Sequence, residues 1–264
     1  MRINPPASVE NLGGKGYQLW LLKEKYSVPD FFVVCFDSEF EIDSKNVQTD
    51  ILNEFDLHVF QYVSVRSSAT IEDSKVASFA GMFVSKLNVT KDNLIQAIRD
   101  VLMSTTNTRV IEYCKLNQLD YQEIKMKVVI QRMVNSRVSG VCITKPQKNS
   151  EMLLLEACLG LGETLVSGII TPDTYKVNRS TLTVESEIVG FQKIMISALE
   201  QDKPVSVPFF QRNAKKLQAS EVLEITQNCL NIERQLGYDS VDVEWTYENN
   251  TLFILQARPF VGLN

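Results

Sequence analysis

The stretch VDVEWTYENNTLFILQARP, residues 241–259, alternates polar and apolar side chains in the way that is typical of a β-hairpin. The polar residues 249–251 interrupt this alternation near its middle, and we interpret them as a three-residue loop. Counting back from this loop predicts one apolar face, formed by the cross-strand pairs Trp245 with Leu255, Tyr247 with Phe253, and Val243 with Ala257. The stretch therefore predicts two adjacent strands of an antiparallel sheet.

The opposite face of the same hairpin is polar. In this register Glu244 lies opposite Gln256, and Asp242 lies opposite Arg258. A two-residue loop would instead place Glu244 beside Leu255 and would mix polar with apolar side chains on both faces, so the pattern favours the longer loop. The register thus brings two carboxylates, an amide and a guanidinium onto one surface.

This polar surface has two interpretations. A carboxylate and an amide oxygen suit a hard cation such as Mg²⁺, which commonly takes one or two protein ligands beside substrate phosphates. An adjacent arginine can hold a phosphate oxygen by charge-assisted hydrogen bonds. The alternative is an exposed polar face with a surface ion pair, which contributes little to stability. The segment alone slightly favours this second interpretation.

A second unusual stretch is VSVRSSATIEDSKVASFAGMF, residues 63–83. The run LHVFQYVSV that leads into it reads as a strand that delivers Arg66, but the period is then lost. Hydroxyl side chains and two acids follow, and the stretch closes on Phe79, Ala80 and Gly81. The stretch thus combines a guanidinium group, small side chains and a backbone that a ligand can approach closely.

Two glycine-rich segments raise the question of a bound phosphate. NLGGKGYQL, residues 11–19, lacks the Walker A spacing, but glycines before a helix expose backbone N–H groups to an anion, and Lys15 can add a point charge. EACLGLGETLVSGIITPD, residues 156–173, does not match the dinucleotide fingerprint. It is interpreted either as a tight turn between strands or as a loop near a nucleotide. Alone, neither segment identifies a ligand.

The segment VVIQRMVNSRVSGV, residues 128–141, is interpreted either as a core strand or as a strand that runs into a connector between two lobes. Backbone groups of such a connector can bind an adenine edge, while an apolar neighbour such as Met133 packs on the ring. As an isolated feature, the segment favours a core strand.

Composition excludes several classes of protein. The chain has 264 residues, 44% hydrophobic and 22% charged, which indicates a globular protein with a core. Its formal net charge of −5 argues against a general nucleic-acid partner. The five cysteines are widely spaced without a CxxC pair, which argues against a disulfide framework or structural zinc and for a reducing compartment. No apolar run predicts a signal peptide or membrane span, so we expect a soluble, cytoplasmic protein.

The order of elements predicts two α+β lobes, residues 1–115 and residues 116–264. The first mixes helices and strands, with a helix that starts after the N-cap Thr90 and with His58, the only histidine, at the entry to a strand. The second contains short β-rich runs that suggest a largely antiparallel sheet. It also contains a loop over residues 197–210 and a late helix that ends at Gly237.

Taken together, these segments resemble the ATP-binding domain of the phosphoenolpyruvate synthase and pyruvate phosphate dikinase family, an ATP-grasp fold. The resemblance runs in family order from Leu12 to Pro259, nearly the whole chain. The matching segments are GGKG, VPDFFVV, VRSSATIEDSKVASFAG, VVIQRMV, VSGV, EACLGLGETLVSGIITPDTY, DVEW and LQARP.

The resemblance implies a two-lobed α+β ATP-grasp fold that binds ATP and Mg²⁺. The residues that it assigns are Lys15, Arg66 and Arg258 at the phosphates, Gly81 and Ser85 on a covering loop, Gln131, Arg132, Met133 and Val134 at the adenine border, and Glu244 and Gln256 at the metal. The cationic side chains and Mg²⁺ would stabilise charge that moves during phosphoryl transfer, with Lys15, Arg66 and Arg258 as the catalytic groups. We therefore expect the two groups of residues to converge across a cleft between the lobes.

The chain also departs from the family pattern. Family members usually carry a swivelling domain with a phosphorylatable histidine, and His58 is the only histidine here. The run between FFVV and Arg66 is shorter than expected, which predicts a trimmed first lobe. A glutamine-rich continuation after SFAG is replaced by Met82, Phe83 and Val84. The chain is therefore either one domain of a longer polypeptide or a subunit that works with a separate histidine protein.

The function that the resemblance implies is that of a dikinase-type phosphotransferase. In full-length relatives ATP gives a pyrophosphorylated histidine, AMP and phosphate are released, and a phosphoryl group passes to pyruvate, a glucan, a rifamycin antibiotic or an amide nitrogen. The sequence does not select among these acceptors. Two alternatives stay open: a non-catalytic nucleotide-binding or regulatory module, and an ATP-grasp ligase that releases ADP.

Overall fold

A computed structural model of the chain describes residues 1–70, 79, 81–198 and 203–260. The chain divides into two compact units. Unit 1 comprises Met1–Glu24 and Pro29–Met133, and unit 2 comprises Lys25–Val28 and Val134–Asn264. The structure thus places the division after Met133, whereas the sequence predicted it between residues 115 and 116. The reason is that the strand before Met133 pairs inside the sheet of unit 1.

Unit 1 is built on a five-stranded sheet in the order β1-β2-β5-β3-β4, in which every neighbouring pair is antiparallel. Its strands are β1 (Arg2–Ile3), β2 (Phe31–Cys35), β3 (Val63–Ala69), β4 (Ser85–Val89) and β5 (Met126–Arg132). Its helices are α1 (Val9–Leu22), α2 (Lys45–Leu57), α3 (Lys91–Met103) and α4 (Thr108–Leu116). Helix α1 contacts β2, β3 and β5.

The hydrophobic core of unit 1 lies between the sheet and the helices α2, α3 and α4. Alternate residues of the central strands, such as Val65, Val128 and Ile130, are fully buried there. Helix α3 begins after Thr90, as predicted, and its apolar positions recur at helical spacing, so that Leu94, Ile98 and Val101 are buried together. This face of the sheet is therefore structural, whereas the α1 face carries polar side chains such as Ser68 as well as the buried Val33 and Val129.

The prediction for His58 was wrong. It lies at the C-terminus of α2, a helix that the sequence analysis did not predict, rather than at the entry to a strand. Its ring stacks on Phe60, with 4.9 Å between centroids, and on Phe32, at 5.5 Å. The Nδ1 atom lies 2.5 Å from the Asp30 carboxylate. The histidine thus closes an aromatic stack at the edge of the core.

Unit 2 is built on a six-stranded antiparallel sheet in the order β13-β12-β6-β7-β8-β9, which confirms the predicted antiparallel character. Its strands are β6 (Val138–Ile143), β7 (Met152–Leu159), β8 (Asp173–Asn178), β9 (Val184–Ile188), β12 (Val241–Glu248) and β13 (Thr251–Pro259). A separate antiparallel pair joins β10 (Ile194–Ile196) to β11 (Pro204–Ser206), and the helices are α5 (Glu163–Val166) and α6 (Ala219–Leu236).

The prediction of a loop over residues 197–210 was wrong in part, because β11 lies within it. The segment Pro204–Ser206 has too few residues to establish a strand period, and it is ordered by its pairing with β10. By contrast, α6 ends at Gly237 as predicted. This glycine adopts a left-handed conformation with φ 69° and ψ 27°.

Two properties of the described residues bear on the class of protein. Among the helices in the described ranges, none is both long and apolar enough to cross a membrane. All five cysteines are buried, and each is a free thiol.

A bidentate ion pair attaches α6 to the end of β8. Arg179 donates from Nη2 to Glu233 Oε1 at 2.7 Å and from Nη1 to Oε2 at 3.0 Å. Burial raises the pKa of Glu233, but the hydrogen bonds from Arg179 and Thr144 lower it by more, so the net pKa lies below its usual value. A carboxyl group of this kind stabilises the fold above its unfolded pKa, about 4.3, and this stabilisation is lost as the pH falls through the folded pKa.

Glu233→Gln is therefore expected to lower the free energy of unfolding at pH 7 by about 1.5–3 kcal/mol, because a charged hydrogen-bonded pair is broken. Urea unfolding at pH 7 and at about pH 3.5 measures this, and the difference from wild type should shrink at the lower pH. Glu112→Gln, at an exposed position on α4, is the matched control and should change little at either pH. A pH-independent loss in Glu233→Gln would contradict the electrostatic explanation.

Candidate functional site

The polar face of the β12–β13 hairpin has the predicted register. Asp242 pairs with Arg258, and Glu244 pairs with Gln256, as counted from the sequence. The members of each strand are two residues apart with no irregularity between them, so all four side chains lie on one face of the ladder. The structure therefore brings together the carboxylates, the amide and the guanidinium of this hairpin.

The loop of the hairpin differs from the prediction. Asn249 and Asn250 form a two-residue turn with φ of 48° and 63°, and β13 begins at Thr251. Positive φ at both positions is the geometry of tight hairpin turns, for which asparagine is well suited. The register then shifts between Glu244 and Trp245. As a result the two predicted apolar pairs nearest the loop were wrong: Trp245 faces Ile254, and Tyr247 faces Leu252.

The register shift between Glu244 and Trp245 is a β-bulge, and it explains why the predicted polar pairs were nevertheless correct. The two-residue loop is followed by one extra residue in β13, and together they shift the cross-strand pairing by the same amount as a three-residue loop does. Beyond the bulge, Glu244 therefore faces Gln256 in either calculation. Val243 likewise faces Ala257, the one predicted apolar pair that the structure confirms.

Asp242 holds the guanidinium of Arg258 in place. Its Oδ2 atom accepts hydrogen bonds from Arg258 Nε at 3.0 Å and from Nη2 at 2.6 Å. Its Oδ1 atom is buried and has no hydrogen-bond partner among the described residues. Burial raises the pKa of Asp242, Arg258 opposes that change, and Glu244 adds to it. Asp242 was not assigned a role from the sequence, although its place opposite Arg258 was the signal for one.

In unit 1 the GGKG segment lies at a kink in α1. Gly13 has φ 71° and ψ 177° inside the helix, so the helical segment starts again after it. Ser68 on β3 takes the place of the missing cap: its Oγ accepts from Gly16 N at 2.9 Å and donates to Leu12 O at 2.7 Å. The sequence predicted a helix start at these glycines, but not that a distant serine caps it.

The predicted phosphate residues of unit 1 lie on adjacent elements of the fold. Lys15 Nζ donates to Ser67 Oγ at 3.3 Å, and Ser67 is the next residue after Arg66. On β4, Ser85 is the cross-strand partner of Arg66. The kinked helix and two neighbouring strands thus bring Lys15, Arg66 and Ser85 into one part of unit 1.

The predicted covering loop is described only in part. Gly81 is exposed and has φ 69°, a left-handed conformation that favours glycine. Residues 71–78 and 80, which the sequence analysis placed in this loop, lie outside the described residues. The role of Gly81 and Ser85 in covering a nucleotide stays a prediction.

The predicted adenine segment lies at the division between the units. Strand β5 ends at Arg132, Met133 N donates to Tyr62 O at 2.9 Å, and Val134 is the first residue of the second part of unit 2. This agrees with the prediction that a strand runs into a connector. Gln131 is 1% exposed, and its Nε2 group has no hydrogen-bond partner within the described ranges. A buried donor of this kind is suited to an acceptor on a ligand.

The donor sets fit ATP and Mg²⁺. The Glu244 carboxylate and the Gln256 amide offer two hard oxygen ligands, and the partnerless Oδ1 of Asp242 lies on the same face. Within the described residues there is no group of three or more histidine, cysteine, aspartate or glutamate side chains that could hold a metal. A site with few protein ligands is the kind that Mg²⁺ uses when phosphates complete its coordination.

The comparison with known families agrees with this chemistry. Residues 36–263 match the family described as the pyruvate phosphate dikinase AMP/ATP-binding domain. The chain belongs to this family. The recognition made from the sequence motifs is thereby confirmed, and the two α+β units with an antiparallel second sheet agree with the ATP-grasp fold that it implied.

Three longer proteins with related names are similar to this chain in sequence. The probable phosphoenolpyruvate synthase of Methanocaldococcus jannaschii is 36% identical over 206 residues, covering 76% of this chain and 17% of that protein. The rifampicin phosphotransferase of Bacillus cereus is 32% identical over 205 residues, covering 76% of this chain and 23% of that protein. The uncharacterized phosphotransferase YvkC of Bacillus subtilis is 30% identical over 279 residues, covering 96% of this chain and 34% of that protein.

These relatives of the family are much longer than the chain, which spans 17% to 34% of their lengths. The match to the family domain begins at residue 36, so Lys15 and the GGKG segment lie before it, whereas the relative from Bacillus subtilis covers 96% of the chain. The nucleotide and metal roles of individual side chains, and the convergence of the two groups of residues on one nucleotide, stay predictions.

Proposed function

We propose that this chain is the nucleotide-cleaving domain of a dikinase-type phosphotransferase, which binds ATP with Mg²⁺ and converts it towards AMP and phosphate. The observation that carries the proposal is the register of the β12–β13 hairpin, which sets Glu244 opposite Gln256 and Asp242 opposite Arg258. A pair of metal-type ligands beside a pair that holds a guanidinium suits phosphoryl transfer, which depends on metal ions and cationic side chains at the phosphates.

In unit 1 the proposed task is to hold the phosphates. Lys15 adds an ammonium group, and Arg66 adds a planar guanidinium that can bind two phosphate oxygens at once. The hydrogen bond from Lys15 to Ser67 attaches the Lys15 side chain to the strand that carries Arg66. Because charge on the phosphate oxygens changes during transfer, fixed cations at this place lower the barrier.

In unit 2 the proposed task is to hold the metal and a third cation. Glu244 and Gln256 would bind Mg²⁺ through one oxygen each, and bound Mg²⁺ supplies charge neutralisation at the phosphates. Asp242 fixes the orientation of Arg258 through two hydrogen bonds, so that the guanidinium is already aligned before the nucleotide binds. Asp242 is thus a positioning residue in this proposal.

The proposed partner is a phosphohistidine-bearing domain, on the same polypeptide or on another. His58 is not suited to this role, since its ring stacks on Phe32 and Phe60 and is bonded to Asp30. The final acceptor is left open. The relatives bear names as different as phosphoenolpyruvate synthase and rifampicin phosphotransferase, and a shared nucleotide domain is compatible with either kind of acceptor.

Metal-dependent ATP binding tests the proposal directly. Titration calorimetry of the chain with ATP in MgCl₂ should give one site, and Glu244→Gln should weaken it by about 10-fold or more, because a charged metal ligand is lost. In EDTA the same variant should bind ATP as wild type does. Glu151→Gln, at an exposed position just before β7, removes an equal charge and is the matched control. Equal weakening by both variants, or in EDTA, would contradict a metal role for Glu244.

Product analysis distinguishes the alternatives. With a phosphohistidine partner supplied, the dikinase proposal expects AMP from ATP. ADP as the product would instead support an ATP-grasp ligase, and tight ATP binding without either product would support a regulatory module.

A further inference from the structure

Unit 1 contains a cavity of about 860 Å³ that none of the predicted ATP or metal residues lines. It opens between the start of α1, the segment after β2, the end of α3 and the start of β5. Its volume lies within the range of roughly 300–1,000 Å³ that is usual for small-molecule sites. The cavity is therefore large enough for a ligand of its own.

The wall of this cavity includes a buried lysine. Lys127 on β5 is only 5% exposed, and its cross-strand neighbours are Cys35 and Ser68. Within the ranges that the structure describes, its ammonium group makes no hydrogen bond and no ion pair. A buried charge without a partner is destabilising, and lysines are rarely buried unless they are paired. Lys127 thus provides a cation in the wall of this cavity that has no hydrogen-bond partner in the described part of the chain.

The other charged groups of the cavity lie nearer its rim. Arg2, 51% exposed, bonds to Asn11 Oδ1 and lies 4.0 Å from Asp37, which is 72% exposed. The remaining charged side chains are those of Lys125 and Glu10, which are exposed, and of Glu39, which is half-buried. Water screens exposed charges of mixed sign more strongly than it screens the charge of Lys127, whose side chain is mostly buried. The electrostatic preference inside the cavity is therefore for an anion at Lys127.

The wall also has an apolar part, beside the polar side chains that make up most of the lining. Phe36, Leu102, Ile124 and Met126 are buried, and the ring of Phe40 is 73% exposed at the mouth. This apolar part can contact the apolar or aromatic body of a ligand whose anionic group lies at Lys127. The combination of one buried cation with this lining defines the class of ligand.

We infer that this cavity is a second small-molecule site, which binds an organic anion with its carboxylate or phosphate on Lys127 and its apolar body against Phe36 and Phe40. The site is separate from the proposed ATP residues and does not depend on them. It would allow a metabolite of this class to bind unit 1 while the nucleotide residues are free or occupied.

Thermal unfolding with phenyl phosphate and with benzoate as probes tests the inference and distinguishes the two anionic groups. At about 10 mM, the better probe should raise the melting temperature of wild type by about 3 °C, since a ligand that binds only the folded state stabilises it. Lys127→Met should lose this shift, and in buffer without probe it should melt at or above the wild-type temperature, because an unpaired buried charge is removed. Lys127→Gln is the second variant and should also lose the shift.

Two control variants distinguish binding of the probe at Lys127 from binding elsewhere on the protein. Lys176→Met, at an exposed position on β8, should keep the full shift. Arg66→Ala should also keep it, since the probe is not expected at the ATP residues. Loss of the shift in Arg66→Ala with retention in Lys127→Met would overturn the inference, as would the absence of a shift with both probes or a clear fall in the melting temperature of probe-free Lys127→Met.

Discussion

Arg66→Ala is expected to lower the rate of AMP formation by about 10²–10³-fold, the effect typical of removing one preorganised electrostatic group from a transfer site. The free energy of unfolding should change by only about 1 kcal/mol or less. Arg66 lies on the α1 face of β3, half-buried, between Ser85 on β4 and Val129 on β5. The hydrophobic core of unit 1 is on the other face, so truncation of this side chain leaves its packing intact.

The measurement is AMP release from ATP with a phosphohistidine partner present, together with urea unfolding of the same variant. Arg66→Lys keeps the charge but loses the planar fork, and it should recover only part of the rate. Arg99→Ala removes an arginine from the surface of α3, where it pairs with Asp43, and it should leave the rate unchanged. A loss of stability in Arg66→Ala that matches the loss of rate would identify a structural arginine instead.

The hairpin was predictable because its polar and apolar residues occupy opposite faces, and only one register keeps them apart. The pattern does not distinguish a three-residue loop from a two-residue turn followed by a bulge, since both add one residue to β13. The pattern therefore predicted the correct partners for Glu244 and Asp242 but the wrong partners for Trp245 and Tyr247. The side chains nearest the proposed chemistry were the ones that patterning determined.

Other features were not predictable because they depend on contacts between distant residues. The cap that Ser68 provides for the helix after Gly13 joins residues 52 positions apart, from Ser68 to Gly16. The short strand β11 exists through its pairing with β10, and Lys127 is buried only because α1 and the neighbouring strands surround it. Local propensity carries no information about these contacts.

The kink at Gly13 leads to the second large prediction. Its φ of 71° with ψ of 177° belongs to a region that essentially only glycine adopts. A Cβ atom built there would lie 1.9 Å from Ser68 O and 2.4 Å from Ser68 Oγ, so the backbone of α1 or β3 must move. Such a movement would also break the bond from Ser68 to Gly16 that caps the helix.

Gly13→Ala is therefore expected to lower the free energy of unfolding by at least about 3 kcal/mol, since backbone strain, a steric clash and the loss of a cap act together. Gly237→Ala is the matched control. The φ of Gly237 is also positive, at 69°, but a Cβ atom built there would meet nothing within 4 Å. Strain alone should then cost about 1 kcal/mol. Urea unfolding of both variants measures the difference, and equal losses would show that the contact with Ser68 is not what requires glycine. If Gly13→Ala stays folded at low temperature, its affinity for ATP should fall as well, because the displaced segment carries Lys15 away from Ser67.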